Sequence, residues 1–244
     1  MNAVLKILLY AAVTVVPYMA MPQQAPDNDL ILANTMDSSS PYYYPSLMER
    51  YKAGDTTLTE EDYRYLYYGF AFTPDYHPLA SIPSESMTLM ALERADAMPN
   101  EENMRDVIRC ATETMASDPF SPSNLNFLTY AYGALGDTIN ERINYDRLTK
   151  VLAAIRSSGT GLTEKSPMHV IRLSHAADVL GTLGLSVTKR LVVSRTSEYI
   201  SVANEEGRRL SKGYYFDYSR IFWGDPEDLP QKPRRWKINE YQLE

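Results

Sequence analysis

"DPFSPSNLNFLTYAYGALGD" (118–137) is the stretch whose reading decides the fold. After the proline-broken "DPFSPS", the residues from 124 to 135 predict a helix that stops at Gly136. Working outward, Val107, Cys110, Ala111 and Thr114 follow i, i+3, i+4, i+7 spacing, so 101–117 is a helix with Asn100 as its cap. A further helix is expected over 87–97, and another over 140–156. Upstream, "YYYPSLMERYKAGD" places Pro45 in a first helical turn and Gly54 at its stop. "TLTEEDYRYLYYGF" supplies Thr59 as cap, three acids for the positive helix end, and Tyr63, Leu66, Tyr67 and Phe70 on one face. Short connections between such helices predict helical hairpins.

Beyond residue 158 the pattern changes. "SSGTGLTEKSP" breaks the helix and reads as linker. "MHVIRLS" reads as a strand, and "SHAADVLGTLGL" as a helix capped by Ser174 and stopped by Gly184. "VTKRLVVS", "SEYISVA" and "GYYFDYS" read as strands, with "NEEG" as a hairpin turn between the last two. The expected fold is therefore α+β: N-terminal helical hairpins followed by a small, mostly antiparallel sheet with one packed helix.

The N-terminus carries Lys6 before an apolar run over 7–21, followed by small and polar residues. That order reads as a secretory signal peptide over 1–25. Cleavage after Ala20 would put Tyr18 at the third position upstream, where a small residue is preferred, so a retained N-terminal anchor is the alternative. A polar, breaker-rich segment over 26–41 reads as flexible linker. The helical-hairpin region then spans 42–158, the sheet region 159–224, and a C-terminal extension 225–244. With its leader removed, the chain is expected to have no transmembrane span, and to be periplasmic or secreted. Cys110 is the only cysteine, which excludes an internal disulfide and multi-cysteine zinc sites; its helical spacing assigns it to the core. A formal net charge of -7 argues against nucleic acid as a partner.

The 118–137 stretch also resembles a tetratricopeptide hairpin. Leu125, Leu128, Thr129 and Tyr132 fall at the motif's offsets, Pro119 sits where a preceding repeat would close, and Tyr145 matches the aromatic position of the second helix. Glu141 stands where Ala is wanted. Shifting by the period of roughly 34 residues carries Leu128 to Arg94 and Tyr132 to Ser166, so the array does not repeat. The sequence thus predicts a repeat-like hairpin inside a one-off fold. Over most of its length, through "YPSLMERYKAGDTTLTEEDYRYLYYGF", "AAIRSSGTGLTEKSPMHVI" and "GYYFDYS", the chain is similar to a domain-of-unknown-function family (forty-nine nineteen). That resemblance implies an exported protein of gut-type Gram-negative anaerobes and implies no catalytic residues. It also implies an acidic-aromatic turn after "HVI", where this chain has Ser174, His175 and Ala176.

Chemistry is sparse. His169 and His175 are six apart and lack the i, i+4 spacing of zinc hydrolases, so they read as structural or surface groups. His77, in "TPDYHP", follows Asp75 by two residues, a pairing that would orient a general base if a nucleophile were supplied. No G-x-S-x-G, H-E-x-x-H or phosphate-binding glycine loop supplies one, and no cofactor is expected. The acidic pairs lie at helix starts, where the dipole accounts for them. The basic residues around Trp236 are expected to pack against the acidic body.

Tyrosine is the outlier, with 19 against 6 phenylalanines. Its apolar ring and polar tip suit half-buried faces, whether wet-edged core or interface. The sequence reading is therefore a non-catalytic exported binding module whose partner is a protein, a peptide or a glycan. Tyr63, Tyr67, Tyr130 and Tyr132 are its candidate binding residues. The alternatives are a hydrolase-like enzyme around His77 and Asp75, and a purely structural envelope component.

Overall fold

The computed structural model describes residues 23–222. The leader through residue 22 and the extension over 225–244, with the basic residues around Trp236, lie outside the described residues. Helix α1 (Asn28–Met36) occupies much of the stretch read as flexible linker. Asp27 caps it by accepting a hydrogen bond from the Leu30 amide at 3.0 Å, and Ile31 and Thr35 are buried. Two distant residues dock it, which explains why its composition misled. Gly69 admits Thr35 so closely that an added Cβ would lie 2.8 Å from Thr35 Cγ2. The buried Arg220 guanidinium donates to the Pro26 carbonyl and to the Asn28 side chain.

Helix α2 (Tyr44–Lys52) opens on Pro45 and yields to Gly54 at φ +76°. Helix α3 (Glu60–Gly69) starts in a reciprocal capping box: the Thr59 hydroxyl accepts from the Asp62 amide, and the Asp62 carboxylate accepts from the Thr59 amide. A 3₁₀ turn, Phe70–Phe72, extends it.

Four helices then pack in series: α4 (Pro83–Ala97), α5 (Glu101–Ser117), α6 (Pro122–Ala134) and α7 (Thr138–Arg156). Asn100 caps α5 as expected. Helices α4 and α6 start before their expected first residues because proline in the first turn needs no amide partner, and Ser121 caps α6 through the Asn124 amide. The link between α5 and α6, residues 118–121, is buried throughout. The Tyr51 hydroxyl donates to its Pro119 carbonyl at 2.5 Å. The opening stretch therefore enters the middle of the molecule before it becomes a helix.

Strand β1 (Met168–His169) is only two residues long, and α8 (Leu173–Gly181) follows it. Ser174 lies inside α8 rather than capping it; Arg172 is the N-cap and makes no side-chain cap bond. The remaining strands are β2 (Ser186–Val192), β3 (Ser197–Ala203) and β4 (Tyr214–Asp217). Their order is β1-β4-β3-β2, with β1 parallel to β4 and the other pairs antiparallel. "NEEG" does turn, with Gly207 at φ +78° donating to the Asn204 carbonyl; Ala203 and Arg209 pair across it in an isolated bridge, and strand β4 begins only at Tyr214. A final 3₁₀ turn spans Ser219–Phe222.

One core unites α1 to α3, Phe120, Leu125 and α7 with Val170, Ile171, α8, Ile200, Val202 and Phe216. A second cluster joins α4, α5 and α6 around Val107, Cys110 and Phe127. The change of secondary structure near residue 158 thus falls within a continuous core, and the sheet with α8 closes one side of the helices.

Candidate functional site

The buried link places Asp118 where an unpaired carboxylate would be costly. Its partners come from α8: His175 Nε2 lies 3.0 Å from Asp118 Oδ2, and Arg172 Nε lies 3.4 Å from the same oxygen. His175 Nδ1 in turn lies 2.8 Å from the Tyr67 hydroxyl on α3. Burial raises Tyr67 well above the usual tyrosine range, so its hydroxyl keeps the proton and donates it to Nδ1. The Nε2–H is then the donor to Asp118. Burial opposes charge on Asp118, yet His175 and Arg172 hold its carboxyl below the usual range. Arg172 also donates to the carbonyls of His77 and Ser117. Tyr67, His175 and Asp118 are each 0% exposed. This buried Asp–His–Tyr chain fixes α8 onto α3 and the α5–α6 link.

The outer face of α8 is different. Ser174, Ala177, Asp178, Gly181 and Thr182 repeat at helical spacing and line a cavity of about 320 Å³. The start of α6 and two residues of α4, Glu85 and Leu89, complete its walls. Asp178 accepts a hydrogen bond from the Ser123 hydroxyl at 3.1 Å. Burial pushes Asp178 up to about 6 and also raises Glu85.

A larger groove of about 740 Å³ lies between α6 and α7. Tyr130 and Tyr145 contribute aromatic walls, Asn126 and Thr129 polar ones, and Glu141 and Arg142 opposite charges. Gly133 leaves room for the Glu141 carboxylate, whose Oε1 would lie 2.9 Å from an added Cβ. A surface of this kind offers stacking faces, an amide and both signs of charge.

The structure separates the four tyrosines singled out from sequence. Tyr63 and Tyr67 are core residues, packed with Tyr51, Tyr68 and Phe120. Tyr130 lines the groove, whereas Tyr132 is half-buried near Asp137 and Arg147. His77 and Asp75 are exposed, and no hydrogen bond joins them among the described residues. The loop bearing them is held through the His77 carbonyl rather than the ring. His169 pairs with Asp217 at 3.2 Å across the β1–β4 edge. Sequence reasoning missed Asp118, Asp178 and Glu85. The available signal was the second, small and polar face of α8 beside its apolar one. Among the described residues, no group of three or more His, Cys, Asp or Glu side chains is placed to hold a metal ion. Among the same residues, no helix is long and apolar enough to cross a membrane.

Packed helical hairpins, closed by α8 and a small, mostly antiparallel sheet, define an α+β protein with pockets on its helical side. Residues 29–224 match the family described as Domain of unknown function (DUF4919), and the chain belongs to that family. No curated protein and no solved structure matches it.

Proposed function

We propose that the protein is an exported, non-catalytic interaction module that takes an extended peptide segment of a partner protein into the α6–α7 groove. One observation carries the reading: Tyr130 and Tyr145 flank a cavity of about 740 Å³ that also presents Asn126, Glu141 and Arg142. Aromatic walls bury apolar peptide side chains, and the Thr129 hydroxyl, which donates to the Leu125 carbonyl, keeps a lone pair to accept a peptide N–H. The two opposite charges meet charged side chains of the segment and set its direction. The apolar run after Lys6 supports export.

The test is selection from a random peptide library against the full protein, counter-selected against a Tyr130→Ala/Tyr145→Ala variant. The expected result is a related set of peptides whose binding weakens at least about tenfold in the variant, the loss of one aromatic anchor or more. Peptides that bind both proteins equally, or no enrichment at all, would remove the groove from consideration.

A further inference from the structure

We propose that the cavity between α4, α6 and α8 is a second binding site, built for a small ligand that carries an ammonium group on a short apolar body. The site is distinct from the α6–α7 groove, although Asn126 borders both.

Its volume, about 320 Å³, lies at the lower end of small-molecule sites. Among the described residues no Lys, Arg or His lines it, while Glu85 and Asp178 both do. An anionic ligand would therefore meet repulsion from two carboxylates. Nor is the start of α6 an open anion site, because Ser121 already accepts from the Asn124 amide. The Asn124 side chain is the most telling group. It is 3% exposed, lines the cavity, and has no hydrogen-bond partner among the described residues. Its amide atoms are not among the sealed, unpartnered polar atoms of the described residues, so a bound group can reach them. Glu85 is half-buried, and its carboxylate likewise makes no hydrogen bond or ion pair among the described residues.

An ammonium offers three N–H donors and no acceptor. Glu85, Asp178 and the Asn124 amide oxygen together offer the complementary set. Leu89, Pro122 and Phe127 supply apolar walls for the rest of the ligand. The nearby cation is occupied elsewhere: Arg172 faces Asp118 from behind the cavity, and the His175 ring donates to the same carboxylate. Arg172 and His175 act to lower Glu85 and Asp118 to raise it, and on Asp178 His175 and Asp118 likewise oppose each other. Even so, burial dominates and raises both carboxyls, and an ammonium would bring them a counter-charge that the described lining does not supply.

The experiment titrates the full protein at pH 7.5 with n-hexylamine, n-hexanol and hexanoate, three probes with the same chain, followed by amide nuclear magnetic resonance. Saturable shifts at Ser123 and at the Asn124 side chain are expected with the amine. The alcohol should bind at least about tenfold more weakly, and hexanoate more weakly still, in keeping with the strength of a charge-assisted hydrogen bond. Glu85→Gln, whose wild-type side chain makes no hydrogen bond or ion pair among the described residues, should weaken the amine at least about tenfold. Asp178→Asn is the second variant, used after circular dichroism confirms that α6 has kept its start. Equal affinity for amine and alcohol, preference for hexanoate, an unchanged amine affinity in Glu85→Gln, or no saturable shift would each overturn the proposal.

Discussion

The Tyr67 hydroxyl lies 2.8 Å from Nδ1 of His175, although the two residues are 108 apart in the chain. The contact clamps α8 onto α3, and the other ring nitrogen satisfies Asp118. Removing the imidazole would strand a buried carboxylate and a buried hydroxyl together. His175→Ala should therefore cost roughly 3–5 kcal/mol, the range for breaking a buried pair by deleting one member. Tyr67→Phe, which loses one hydroxyl, should cost only about 1 kcal/mol. Urea unfolding of both variants checks the order, and a His175→Ala protein no less stable than Tyr67→Phe would contradict the clamp.

Acid should act on two carboxylates in opposite directions. Asp118 titrates below the usual range when folded, so its contribution is present above about pH 3.9, the unfolded value, and is lost as pH falls through its folded pKa. Asp178 is raised to about 6, so the folded protein holds a proton that the unfolded chain releases. Its contribution is full below about pH 3.9 and declines as pH rises to about 6, by up to about 3 kcal/mol. Asp178→Asn cannot titrate. Its stability relative to the wild type should therefore climb between pH 4 and pH 6 and level off above, as urea melts at four pH values would show. A flat difference would mean that Asp178 is not raised.

The same two carboxylates mark where sequence stops being informative. Helix starts were legible because their signals are local: Thr59 with Asp62, Asn100, and Pro45 each act within one turn. Cys110 was placed in the core by spacing alone, and it is 1% exposed. By contrast, α1 looked like linker because its docking depends on Gly69 and on Arg220, far along the chain. Strand β1 was overestimated because pairing with β4 ends at the Val170 amide, which donates to the Asp217 carbonyl. The Ile171 amide turns to the Tyr67 hydroxyl, and both side chains enter the core. Tyr63 and Tyr67 passed as surface candidates for a related reason. A tyrosine stripe looks the same whether a partner protein or Phe120 covers it. His175 was read as an ordinary structural or surface group, and its role requires Asp118, which sits in a link that reads as a turn.

Two glycines should separate steric from conformational cost. A Cβ on Gly213 would lie 2.0 Å from the Ile200 carbonyl oxygen, a contact that only movement of β3 against β4 can relieve. Gly136, at φ +75°, has nothing within 4 Å of its added Cβ. Gly136→Ala should thus remain folded and lose about 1–2 kcal/mol, the cost of a left-handed backbone for an L-residue. Gly213→Ala should lose the sheet's pairing, with hydrogen-exchange protection falling across β3 and β4. Native protection in Gly213→Ala would show that this edge can shift freely.

The tyrosines themselves offer the sharpest division between core and groove. Tyr63 is 1% exposed, with its ring edge-on to Tyr51 and Lys150 above its face. Truncating it should cost about 3–5 kcal/mol, as for other large aromatic residues emptied from a core. Tyr145 is 43% exposed on the groove wall, so Tyr145→Ala should change stability by no more than about 0.5 kcal/mol. Thermal and urea melts of the two variants read this difference directly. A marked loss in Tyr145→Ala would make that ring part of the α6–α7 packing, and peptide binding lost in the variant could then no longer be assigned to the groove. A silent melt, with binding lost, leaves the aromatic wall itself as the cause.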